Sequence, residues 1–210
     1  MNYAKVRTVR SPQRGTKLSA GIDFFVPQRI TKESDVHGQI NHDEFDSKFL
    51  SDLIEKNPHL AEVGRISEND ILIAPQESVM IPSGIHVNLE QVLDVAWEGE
   101  CPSGPINIAR SREMFGAPLG LMLTAHNKSG VGTKKRFDRL AEVVDEDYQG
   151  ELHISVINAG NEIQRIKPGD KLIQFILEPI LLSMPNEVEF DSLYTNDSER
   201  GQGGFGSTGA

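Results

Sequence analysis

Apolar and polar positions along the chain mark three stretches as strand, by alternation or by apolar β-rich runs: Ile71 to Leu89, Gly150 to Asn158 and Lys171 to Leu182. In the first, Pro82, Ser83 and Gly84 separate two apolar runs. Ile85, Val87 and Leu89 then alternate with His86 and Asn88, so the pattern predicts a half-buried hairpin. Residues 43–62 follow another period. Phe45, Phe49, Leu50, Leu53 and Ile54 recur at helical spacing until Asn57 and Pro58 break it, which predicts a short amphipathic surface helix. From 91 to 121, Trp97, Gly99, Pro102, Gly104, Pro105, Gly116 and Pro118 interrupt every regular pattern, and a long loop with short elements is expected. The chain should be mostly β, a single domain with a helical decoration.

Composition agrees with one core: 210 residues at 38% hydrophobic content suffice for one decorated domain and hardly for two of ordinary size. No apolar run approaches the ~18 residues of a membrane span, and the opening MNYAKVRTVRSP lacks the apolar core of a secretory signal. The lone Cys101 can form no intrachain disulfide and has no CxxC partner. A soluble cytoplasmic protein without a membrane partner is therefore expected. A formal net charge of -10 argues against a nucleic-acid surface, so any anionic ligand must be met by local cations. The acidity is uneven, with ten Asp or Glu against four Lys or Arg between residues 31 and 70.

Candidate chemistry lies in five short segments. The last eleven residues, RGQGGFGSTGA, hold five glycines and no aliphatic side chain larger than alanine. They are either a flexible linker or a segment that wraps backbone N–H groups around phosphates, with Arg200 bridging phosphate oxygens and Phe205 stacking on a base. A P-loop is excluded, since no lysine and no helix follow the glycines. In LAEVVDEDYQGELHISVIN, Asp145, Glu146 and Asp147 share one bend between apolar runs, either an exposed acidic turn or the seat of a general base. HNKSGVGTKKRF, with Lys128, Ser129, Gly130, Lys134, Lys135 and Arg136, is the densest basic stretch, either a solvated loop or a phosphate site. In SAGIDFFVP, Asp23 precedes an apolar Phe-Phe pair and by itself reads as a turn cap.

Together with GDKLIQF, which carries Gln174, these segments resemble the five motifs of the dUTPase family in type, order and spacing. The resemblance covers roughly residues 5–27, 71–90 and 122 to the end. Segments at about 31–70 and 91–121 match nothing in the family and read as insertions. The resemblance implies an all-β, jelly-roll-like β-barrel assembled as a homotrimer, with residues 200–210 as a lid that reaches a neighbour's site. It also implies hydrolysis of dUTP to dUMP and pyrophosphate, by in-line attack of water on the α-phosphorus with Mg²⁺ assistance.

Residue by residue, Asp145 matches the general base. Asp23 matches an acid that orients the magnesium hydration shell through water. Lys128, Ser129, Gly130 and Gln174 match phosphate-side positions. The ring of Tyr148 matches a position against the deoxyribose, where it excludes a 2′-hydroxyl. Main-chain groups from Gly150 to His153 match the uracil-reading hairpin, and Arg200, Phe205, Gly206 and Ser207 match the closing tail.

The chain departs from the family in Lys128, where arginine is usual, and in Arg139 and Glu142, where an asparagine and a glycine are usual. These last two raise the alternative of a modified or different pyrimidine deoxynucleotide. A dCTP deaminase, the nearest enzyme relative in fold, would need a glutamate where Ser155 stands. A further alternative is a regulatory protein that binds a partner through the 31–70 insertion.

Overall fold

The structure, a computed structural model, describes residues 1–29, 47–63, 69–89, 119–196, 198 and 201. Its longest pairing joins β7 (Leu119–Asn127) to β12 (Ile173–Leu181) in a nine-residue antiparallel ladder from Leu119↔Leu181 to Asn127↔Ile173. Leu121, Leu123 and Ala125 from β7 and Ile173 and Phe175 from β12 point into the core, as period-two alternation requires. Pro179 fits this ladder because of where it falls. The Leu121 N–H opposite it turns away and donates to Glu146 Oε2 at 3.1 Å, so the pair is not hydrogen-bonded and a missing N–H costs the ladder nothing.

Around this ladder, β2 (Gln13–Arg14) and β3 (Ile22–Asp23) extend one edge of a five-stranded sheet, and β9 (Val143–Val144) extends the other. A second sheet has the order β5 (Ser78–Pro82), β10 (His153–Asn158), β8 (Phe137–Arg139). Two smaller sheets pair β1 (Asn2–Lys5) with β6 (Ile85–Asn88), and β4 (Ile71–Ile73) with β11 (Gln164–Ile166). Every pairing is antiparallel. All four sheets face one core, in which Phe24 meets Phe175 edge-on at 4.8 Å, a contact worth ~0.5–1.5 kcal/mol beyond simple burial. The arrangement is the jelly-roll-like one expected.

One expectation needs correction, and one of two open readings falls away. The run from Ile71 to Leu89 is not a hairpin: β5 pairs with β10, whereas β6 pairs with β1. Gly84 makes the corner with φ 75°, the left-handed region that glycine enters without a Cβ clash. The Ser83 N–H donates to Leu152 O and Gly84 O accepts from the Val6 N–H, while the Ser83 hydroxyl accepts from the Ile85 N–H within the corner, so the chain crosses between sheets. The basic stretch after β7 is not a loop either: α2 (Ser129–Lys135) occupies it, ending at Arg136 with φ 57°.

The predicted surface helix is present as α1 (Ser47–Lys56), and it stops at the expected breaker, followed by a 3-10 turn at Pro58–Val63. Leu60 in that turn is buried and His59 Nε2 lies 2.7 Å from Ile163 O, which docks this part of the insertion on the β10–β11 connection. Of the expected long loop at 91–121, only Leu119 to Leu121 is described, as the start of β7; the rest lies outside the described residues.

Candidate active site

Asp23 ends β3 beside the middle of the five-stranded sheet, opposite Gln13 on one side and Gln174 on the other. Its side chain is only 4% exposed, and two cations hold the carboxylate: Lys128 Nζ bonds Oδ1, and Lys171 Nζ lies 3.0 Å from Oδ2. Burial by itself would favour the neutral acid, but the hydrogen bonds and charges of the two lysines outweigh it and keep the carboxyl below its usual range. Asp23 is thus an ionised, buried centre rather than a turn cap.

Each partner is delivered by local structure. Lys128 follows the last residue of β7, and Lys171 follows the turn Lys167–Asp170, closed by Asp170 N–H to Lys167 O at 3.0 Å. Gln174 Nε2 donates to Asn127 O at 3.3 Å, and its side chain crosses Gly21, where any Cβ would overlap it. The SAGID segment that presents Gly21 and Asp23 is held by Arg14, whose guanidinium bonds the Ser19 and Ala20 carbonyls at 2.5 Å each. Ser129 and Gly130 open α2 and are exposed. Asp23, Lys128, Lys171 and Gln174 therefore form one cluster, with two cations against one anion in a chain of net charge -10.

A second group of residues lies beside the first half of β7. Asp145 follows β9 and opens a turn closed by Tyr148 N–H to Asp145 O at 3.2 Å. The three acids of this bend have different surroundings: Asp145 and Asp147 are exposed, while Glu146 is bound to the Leu121 N–H. The Tyr148 hydroxyl donates to Glu151 O at 3.0 Å and the ring covers Gly150, where a Cβ would overlap it. His153 begins β10 opposite Pro82. Val87, Asn88, Glu146, Asp147, Tyr148 and Gln149 line a depression of about 100 Å³.

Extending the β7–β9 register puts Asp145 opposite Met122, six residues from Lys128, so at ~3.3 Å per strand residue the two backbones stand about 20 Å apart. One copy of the chain does not bring the two groups together.

Arg139, on β8, pairs with Glu142 at 2.8 Å, and its Nε is buried without a hydrogen-bond partner among the described residues. Ser155 lies in β10 opposite Met80. Arg200, Phe205, Gly206 and Ser207 lie outside the described residues. Sequence reasoning missed Lys171, Arg7 and Glu151. Lys171 stands inside GDKLIQF, and its neighbourhood was the available signal; Arg7 and Glu151 meet across 144 positions and carry no local signal.

The fold is that of known dUTPases. A dUTPase of Staphylococcus bacteriophage 80alpha bound to dUPNHPP superposes with a TM-score of 0.59 at 18% identity, covering 100% of this chain and 98% of that one. A mutant dUTPase from phage phi11 of S. aureus, described as coordinating a structural Mg(II) ion, gives 0.52 at 18% identity over 91% and 98% of the two chains. Sequence takes the relation further. The dUTPase family model matches residues 118–209. The deoxyuridine 5′-triphosphate nucleotidohydrolase of Tolumonas auensis is 32% identical over 142 residues, 66% of this chain and 73% of the relative. The enzyme of that name from Mus musculus is 38% identical over 102 residues, 49% and 60%. The chain belongs to the dUTPase family.

Proposed function

We propose that this dUTPase hydrolyses dUTP to dUMP and pyrophosphate, with Asp145 as the general base. The observation that carries the assignment of roles is the turn from Asp145 to Tyr148. It presents an exposed carboxylate with no side-chain partner among the described residues, three positions from an aromatic ring packed onto its own turn. Asp145 takes a proton from water as the water oxygen bonds to the α-phosphorus. The bond from that phosphorus to the bridging oxygen breaks, and pyrophosphate leaves with the electron pair.

Lys128, Gln174 and the main chain of Ser129 and Gly130 receive the phosphates, Tyr148 abuts the deoxyribose, and main-chain groups from Gly150 to His153 read the base. Arg200, Phe205, Gly206 and Ser207 close over the substrate. Magnesium bound with the triphosphate would neutralise charge that grows on the leaving pyrophosphate. The donor set fits an outer-sphere role. No group of three or more His, Cys, Asp or Glu among the described residues could hold the ion, and Asp23 has two of its four lone-pair positions taken by lysines, leaving two for ordered water.

The separation of Asp145 from Lys128 supports a homotrimer in which each site draws on more than one copy. No helix among the described residues is long and apolar enough to cross a membrane, and a cytoplasmic setting is part of the same proposal. Asp145→Asn keeps the shape and removes the base, so pyrophosphate release from dUTP should fall ~10²–10⁴-fold with the fold unchanged. Wild-type turnover in that variant removes the mechanism. The same assay on dCTP, dTTP, UTP and 5-substituted dUTP decides between dUTP and a modified pyrimidine, the second reading that the Arg139–Glu142 pair favours.

A further inference from the structure

Among the described residues Tyr148 makes its hydrogen bond within its own turn: the hydroxyl donates to the Glu151 carbonyl, and the ring lies on Gly150 beside Val87 and Asn88. Where the ring stands therefore depends on where the backbone of residues 150 and 151 stands. The Glu151 carboxylate anchors that backbone. Its Oε1 accepts from Arg7 Nε at 2.7 Å and from the Gly84 N–H at 2.6 Å, and its Oε2 accepts from Arg7 Nη2 at 3.0 Å. The side chain of Glu151 is 15% exposed and that of Arg7 31%, so the pair is partly shielded from water. Its two partners come from remote segments, the stretch after β1 and the corner between β5 and β6.

A two-pronged guanidinium–carboxylate pair fixes direction as well as distance, and the third bond from Gly84 removes the remaining rocking motion. We infer that Arg7 and Glu151 are positioning residues for Tyr148, and that this clamp sets how strictly the enzyme rejects a sugar bearing a 2′-hydroxyl. The inference rests on the functional reading above, in which the Tyr148 ring abuts the deoxyribose. A ring excludes one oxygen atom only if it cannot retreat by about the ~1 Å that separates a productive geometry from a loose one. The His86 ring meets Gln149 O at 2.9 Å and so holds the Tyr148 turn on the side before Gly150. The clamp ties its other side, the Gly150–Glu151 backbone on which the hydroxyl and ring rest, to two further parts of the fold.

The test measures kcat/KM for dUTP and for UTP in the full chain, wild type against Arg7→Ala, Glu151→Ala and Arg7→Lys. Loss of the clamp should lower the dUTP/UTP selectivity about tenfold or more, chiefly by raising activity on UTP relative to dUTP. Arg7→Lys keeps the charge without the fork and should fall between wild type and Arg7→Ala; where Arg7→Ala does not fold, it carries the test alone. The double variant Arg7→Ala with Glu151→Ala should be no less selective than either single one, because both remove the same clamp. A merely structural pair would lower the melting temperature and leave the selectivity ratio alone, and that result overturns the inference. Failure of the functional reading looks different: a wild-type chain that does not hydrolyse dUTP removes both readings, while an active wild type whose variants keep its selectivity removes only the clamp.

Discussion

Glu151 and Asp23 show how the same residue type acquires a task from its neighbours. Burial resists ionisation of Glu151, but the hydrogen bonds from Arg7 and Gly84 and the Arg7 charge outweigh it, so its carboxyl sits below the usual glutamate range. A folded-state value lower than the unfolded one stabilises the protein above the unfolded value, about 4.3 for glutamate, and that contribution fades as pH falls through the folded value. Glu151→Gln should therefore be less stable than wild type at pH 7, and the gap should narrow toward pH 3. Urea unfolding of both proteins across that range checks this. A constant gap would mean that the Glu151 charge contributes nothing. Asp145, by contrast, is exposed and has no side-chain partner among the described residues, as its proposed role as general base requires.

At the scale of elements, the corner at Gly84 decides more than the strands that it joins. A Cβ at this position would come within 2.9 Å of Val9 Cγ1 and 3.0 Å of the Arg7 Cβ, and φ 75° is itself unfavourable for an L side chain. Gly84→Ala is expected to cost ~1–2 kcal/mol from the left-handed conformation alone, with the crowding added to it. It should also disturb the N–H that Glu151 accepts. Denaturant midpoints read the first effect, and a change below 0.5 kcal/mol would show that the corner relaxes freely, within the range of an ordinary surface substitution. Local pattern predicted strands on both sides of this corner correctly. It paired them with each other because a short polar break between apolar runs most often makes a hairpin. The actual pairing follows from which sheet each strand completes, and β10 and β1 are remote in sequence.

For the whole molecule, the distance between the two residue groups carries the main consequence. Asp145 and Lys128 are only seventeen positions apart, yet the strand register sets them about 20 Å apart along β7. If each site takes its acid from one copy and its cations from another, Asp145→Asn and Lys128→Ala chains that are inactive separately should regain measurable dUTP hydrolysis when refolded together. Mixed trimers that remain inactive, with their assembly confirmed by light scattering, would remove the shared-site arrangement.

What the sequence by itself determined was the local chemistry: the acidic bend at Asp145, the helix that stops at Pro58, and five motifs whose order identified the family. Each depends on residues a few positions apart, where backbone preference and spacing are sufficient. What only the tertiary structure decided was partnership. The lysine that joins Lys128 on Asp23, the arginine that grips Glu151 and the strand that receives β5 all come from distant segments. No short pattern encodes such meetings, because packing all four sheets on one core sets which distant groups are buried together, and burial makes their pairing necessary.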